Sequence, residues 1–410
     1  MLVVIERLIP IIDVDSHAEP GHGWLDEFSA LKRRLPERLP QGDPQFATGV
    51  ASPEMFAWFV ASDLQRARPV AERMPAAELT TPFIHLMYDP DRPKGLGYDG
   101  ADQHWSLDAG ARVQWLDQCG IAVQNLISGT AYGLARAIDD PDLAADAVEA
   151  ANTWMVDHVG DAIDRLKPVT TLRFDDLDRA IAELTRMRAL GSRSFLVSGE
   201  PVNDIPPFHP SFDRLWAAAC DLGMMPMLHV GMGPASMHPG WANTDDPSLI
   251  KRMATSQSHQ AAVVMLNAMV YGGVFERHPN LTLLVSEFGI EWLPFTVRNM
   301  DGRATPAGVF LGEYRLPLAP SEYVARNVRI SPLPAAHQSP VELLRQYPTV
   351  AVFSSDYPHY EGASAPIDYY RIELAPLGEA ATDAFLGGNI NDCYRRMGDP
   401  LVADLTSRTV

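Results

Sequence analysis

The feature that most constrains this chain is a repeating alternation. Short apolar runs occupy residues 9–14, 121–127, 169–172, 194–197, 225–230, 281–286, 327–331 and 350–354. Between them lie longer stretches with helical spacing. The helix expected over 109–119 stops at Gly120, and that over 177–190 at Gly191. The helix over 211–222 stops at Gly223, and a long helix over 141–166 begins at Pro141. Glycine just past a helix end and proline in its first turn are the usual punctuation of helices. Further helices are expected over 257–275, 341–347 and 379–397. Short buried strands alternating with helices make parallel βα units, and eight such units close into a barrel. An open doubly wound sheet would instead want a glycine-rich phosphate loop after a strand. No G-x-G-x-x-G follows any of these apolar runs, and there is no P-loop. The expected fold is α/β, a distorted (β/α)8 TIM barrel formed by residues 1–410 as one domain.

One stretch breaks the rhythm. Residues 18–106 are rich in Pro, Gly and scattered aromatics, with a turn cluster at 89–95. Loops this long in compact proteins are usually functional. The segment reads as a lid-like insertion after strand 1, covering the active-site face and carrying short helices near 53–68 and 74–79.

Composition narrows the function classes. The formal charge of −19 argues against a nucleic-acid partner, which would want a basic face to neutralise phosphates. Cys119, Cys220 and Cys393 are isolated and odd in number, which fits a reducing compartment and a cytoplasmic location. No apolar run approaches the roughly 18 residues of a membrane span. Glu6 and Arg7 interrupt the apolar start, which does not read as a signal peptide.

Reacting groups in such barrels sit at the carboxyl ends of the strands. The first strand ends Asp13-Val-Asp15-Ser-His17, and alternate residues share one face, so Asp15 and His17 lie together near the mouth. The fifth ends in His229, and the eighth runs into Asp356 where its apolar stretch stops. Each signal is weak alone, since a capping Asp or a packed core His would read the same way. Together, two imidazoles and two carboxylates from strands one, five and eight make a mononuclear site for a divalent cation, with room for water or substrate.

Further motifs sharpen this picture. They are Ile-Ile-Asp-Val-Asp15-Ser-His17, Leu116-Asp-Gln-Cys-Gly-Ile-Ala-Val123, Pro226-Met-Leu-His229 and Gly272-Gly-Val-Phe-Glu-Arg-His-Pro279. Then come Ser286-Glu-Phe-Gly-Ile-Glu-Trp-Leu-Pro294, Ser355-Asp356-Tyr-Pro-His359 and Leu386-Gly-Gly-Asn389. In this order the chain resembles the amidohydrolase-related family that includes aminocarboxymuconate-semialdehyde decarboxylase and the resorcylate-type decarboxylases. The resemblance implies one divalent metal at Asp15, His17, His229 and Asp356. Zinc is favoured, with manganese or iron(II) as alternatives. It also implies a homo-oligomer, a dimer or larger.

Decarboxylases of this family carry a His after the sixth strand, in a His-Gly-Gly-type segment. Here Glu287-Phe288-Gly289 stands there, with Phe288 at the His position. Hydrolysis of a small carbonyl-containing substrate by metal-activated water is therefore the leading expectation, with Asp356 as base. Non-oxidative decarboxylation of an aromatic or dienoic acid comes second, and metal binding without turnover third. Glu287 is either an acid/base group or a loop anchor. His259, in the helix after strand five, is either an acid/base group or a packing residue. His359 either orients substrate or stabilises its loop, and Phe288 is assigned to the substrate pocket.

Overall fold

The computed structural model describes residues 9–18, 24–35, 108–231, 249, 253, 256–305, 313–333, 338–357, 362 and 365–402. Most of the lid expected over 18–106, with its helices and turn cluster, lies outside them, as does His359.

Seven strands form one parallel sheet in the order in which they occur in the chain. They are β1 (Ile11–Asp13), β2 (Ile121–Leu126), β3 (Leu166–Thr170), β4 (Ser194–Leu196), β5 (Met225–His229), β6 (Leu283–Ser286) and β7 (Val328–Ile330). Nearly every strand residue is buried. That is why these runs are continuously apolar rather than alternating: parallel strands are covered on both faces.

The eighth run is the informative departure. Residues 350–357 do not form a regular strand among the described residues, yet they bond to both edges of the sheet. Ile330 N donates to Val350 O and Val352 N to Ile330 O on the β7 side. Val14 N donates to Phe353 O, Asp356 N to Asp15 O and His17 N to Tyr357 O on the β1 side. Both edge strands of the curled sheet thus share one partner segment, which brings Asp356 beside Asp15 and His17.

The helices sit where the apolar spacing placed them, with two corrections. Helix α1 (Ala109–Cys119) ends at Gly120, which adopts φ 74°, a left-handed conformation that costs glycine little. The helix that begins at Pro141, capped by Asp140, ends at Val159 rather than 166. Gly160 turns the chain there, a short 3-10 segment follows, and Leu166 already belongs to β3. The run expected as one helix over 257–275 is two, His259–Tyr271 and Val274–Arg277, divided where Gly273 takes φ 72°. Helices at Gly129–Ala137, Trp292–Arg303, Pro320–Asn327 and Pro366–Leu374 lie outside the sequence reading.

The Leu386-Gly-Gly-Asn389 motif acquires a packing reason. It forms a π-helical turn, Ala384–Gly388, against the start of β1. A Cβ on Gly387 would stand 2.0 Å from the Pro10 carbonyl oxygen, so only glycine lets these backbones meet. Asn389, leading the next helix, donates from its side-chain amide to Pro348 O and Ala351 O. The closing turn therefore ties the 350–357 segment to β1. No helix among the described residues is long and apolar enough to cross a membrane.

Candidate metal and proton-transfer site

Five side chains meet at the carboxyl ends of the strands. Asp15 and His17 follow β1, where the backbone is held on both sides. Ile127 N donates to Ser16 O and Ala18 N to Ile127 O from the β2 side, while residues 356 and 357 bond from the other. His229 ends β5 and pairs in register with Ser286, the last residue of β6. That register sets Glu287 next to His229. Asp356 arrives on the segment that bonds both sheet edges.

Distances define how the groups share space. His17 Nε2 lies 3.6 Å from Asp15 Oδ1, 3.4 Å from Asp356 Oδ1 and 3.8 Å from Glu287 Oε2. His229 Nε2 lies 3.7 Å from Asp15 Oδ1 and 2.6 Å from Glu287 Oε2. The two imidazole rings meet edge-on, with centroids 5.1 Å apart. Two groups of mutually close donor atoms result, Asp15–His17–His229 and His17–Glu287–Asp356, joined through His17.

These residues fit a cation. Two ligands each about 2.1 Å from one ion stand roughly 3.0–3.4 Å apart at octahedral or tetrahedral angles. The 3.4–3.7 Å spacings around His17 and Asp15 are close to that and long for hydrogen bonds. Asp15 Oδ1 is buried and accepts no hydrogen bond among the described residues, an arrangement a protein rarely leaves without a positive partner. His229 Nδ1 lies 2.8 Å from Val230 O, so in its neutral form that nitrogen carries the proton and Nε2 offers its lone pair to the site.

The electrostatics agree. Burial drives the Asp15 carboxyl well above the usual range; His229 opposes this, while Asp356, Glu287 and Asp13 reinforce it. Burial by itself would depress the His229 imidazole, but Glu287 and Asp15 outweigh it and lift it to about 9. The centre sets three carboxyl groups against two imidazoles.

Backbone strain marks the same place. Only four non-glycine residues among those described have positive φ, and two of them are Glu287 (φ 65°) and Asp356 (φ 54°). Left-handed conformations cost an ordinary residue about 1 kcal/mol or more, and such strain concentrates at functional sites.

Not every expected site residue joins the cluster. Phe288 is buried in the apolar core beside it. His259 is half-buried at the start of its helix and belongs to neither donor group. Sequence reasoning missed the polar support behind the centre. Asp13 accepts from Gln124 Nε2 at 2.7 Å, Ser355 Oγ at 2.6 Å and Ser355 N at 2.8 Å. Burial raises its carboxyl to about 6 even though these donors pull it down. The signal was present in Gln124 and Asn125, two amides in the middle of an otherwise apolar strand.

Comparison with known proteins settles the family. A family model described as Amidohydrolase matches residues 128–396, more than half of the chain. The chain belongs to the amidohydrolase family. Solved structures with the same fold as this amidohydrolase include an amidohydrolase from Mycobacterium avium subsp. paratuberculosis, at 20% identity and TM-score 0.68 over 94% of this chain and 97% of that one. A 5-carboxyvanillate decarboxylase from Sphingomonas paucimobilis matches at 20% identity and TM-score 0.59, over 94% and 99%. A dihydroxybenzoic acid decarboxylase from Polaromonas sp., with bound manganese and 2-nitroresorcinol, matches at 16% identity and TM-score 0.58, over 94% and 97%. No curated protein matches the sequence significantly.

Proposed function

We propose that this amidohydrolase is a metal-dependent carboxy-lyase. It would remove carbon dioxide, without oxidation, from a small aromatic acid that bears an oxygen substituent beside its carboxylate. Its (β/α)8 barrel would be completed by the 350–357 segment. Asp15, His17, His229 and Asp356 would hold one divalent ion. Bound there, the ion supplies Lewis-acid polarisation of substrate oxygens. Manganese stands beside zinc as a first choice, because the donor set is rich in carboxylate and a similar decarboxylase carries manganese.

The observation that carries this reading is the position of Glu287. Its side chain is 9% exposed, against 0–3% for Asp15, His17, His229 and Asp356. It is therefore the most accessible member of the cluster, the one an arriving substrate would meet first. Decarboxylation breaks the bond between ring carbon and carboxylate, and the electron pair stays on carbon. A proton must then reach that carbon. Glu287 would hold this proton at Oε2 and deliver it, its carboxyl standing 2.6 Å from the His229 Nε2 that would face the ion. Phe288 and its apolar neighbours would keep water from competing.

This reverses the order of the sequence expectations. Hydrolysis ranked first there because Phe288 displaces a histidine proton donor. Glu287 supplies a donor from the adjacent position. The similar structures described as acting on 5-carboxyvanillate and dihydroxybenzoic acid favour the same order.

The test is product analysis. Metal-loaded protein would be given ortho-hydroxylated aromatic acids and, separately, esters and amides, in ¹⁸O-labelled deuterium oxide. Expected are release of carbon dioxide and one deuterium at the vacated ring carbon. Turnover of esters or amides with ¹⁸O in the product, and no carbon dioxide, would overturn the proposal in favour of hydrolysis.

A further inference from the structure

Behind the ligand cluster runs a buried chain of polar side chains. Arg112 projects from α1 and is buried. Its Nη1 donates to Gln124 Oε1 at 3.1 Å, and its Nη2 to the backbone carbonyl of His17 at 2.7 Å. Gln124 passes the connection on from Nε2 to Asp13, and Asp13 receives Ser355 from the other side. The face of the same guanidinium covers the ring of Tyr357, 4.5 Å from its centroid, and Trp115 stacks on that ring at 4.1 Å.

One cation thus touches both backbone segments that carry the cluster's first-strand and last-strand residues. His17 is fixed through its carbonyl by Arg112 and through its N–H by Tyr357 O. Asp356 lies between Ser355, held by Asp13, and Tyr357, covered by Arg112. A planar, permanently charged fork reaches two acceptors and an aromatic face together, which a lysine ammonium cannot reproduce.

We propose that Arg112 is a positioning residue for the metal centre, setting His17 and Asp356 relative to each other through Gln124, Asp13 and the Tyr357 ring. This rests on the reading that the cluster holds a divalent ion. Groups that orient ligands without touching the metal typically govern affinity by about 10–100-fold.

The test compares wild type, Arg112→Met, Arg112→Lys and Gln124→Met. Manganese and zinc dissociation constants would be read by chelator competition, and melting temperatures would be recorded on the metal-free proteins. Arg112→Met is expected to weaken affinity about 10–100-fold while a cooperative metal-free melt persists. Arg112→Lys should recover part of the loss, and Gln124→Met should lose several-fold with both ends of the chain still partnered. If Arg112→Met does not fold, Gln124→Met and Arg112→Lys decide alone. Wild-type affinity in the folded variants would overturn the proposal and leave the metal site standing. A wild-type protein that binds neither ion would instead remove the site on which the proposal rests.

Discussion

Metal uptake by this chain should be coupled to proton release, and the structure sets the size of the effect. Without a cation, burial works against a charged His229, but the Glu287 and Asp15 carboxylates prevail and raise its pKa from 6.5 to about 9. At pH 7 the imidazole therefore holds a second proton at Nε2, the nitrogen an ion needs. Binding must displace it, so apparent affinity should climb about tenfold per pH unit, roughly 100-fold from pH 7 to 9, and then flatten. The sign for the metal-free protein is opposite. A group whose folded pKa is raised stabilises the fold fully below its unfolded value of 6.5 and loses that contribution as pH rises through about 9. Melting temperature should thus fall with rising pH in the metal-free protein while metal affinity grows. Glu287→Gln removes the strongest raising influence and should shift the affinity profile to lower pH. Calorimetric titration in buffers of different ionisation enthalpy counts the protons directly. Affinity that stays constant from pH 7 to 9, with no proton released, would refute the reasoning.

Three other outcomes follow from particular residues. Glu287→Gln should retain the ion yet slow carbon dioxide release by roughly 10²–10⁴-fold, the usual worth of a placed acid or base, as steady-state kinetics would show. Asp356→Asn should abolish turnover while leaving the metal-free melting temperature unchanged or raised. Asparagine tolerates φ near 54° and removes one of the crowded carboxylates. Gly387→Ala should destabilise the chain by about 1–3 kcal/mol or more in urea, because its Cβ meets the Pro10 carbonyl oxygen and neither backbone can yield easily.

Much of this architecture is legible in the sequence. Buried parallel strands need unbroken apolar runs, and seven of the eight runs form strands, six close to their expected bounds and the third beginning at Leu166, three residues before the expected 169. The eighth shows why pattern reading stops short. Its residues bond two different strands in a few places each, which apolarity cannot distinguish from a regular ladder. Asp15, His17 and His229 were readable because period-two alternation aims a strand-end side chain. Glu287 was harder, since its φ of 65° breaks that alternation one residue past β6. Its partnership with His229 depends on the β5–β6 register, which no local pattern encodes. The Arg112–Gln124–Asp13 chain was missed for a related reason. It joins residues distant in sequence, and its only local trace is an amide in the middle of an apolar strand. His259 lies in an apolar helix, as the sequence suggested, but that helix does not bring it into either donor group.

The most direct test of the central claim is elemental analysis of purified protein after metal loading and dialysis, performed on wild type and His229→Ala together. About one divalent ion per chain in the wild type, lost in the variant while its circular dichroism is retained, is the expected result. A wild type without bound ion, or a variant that retains it in full, would contradict the site.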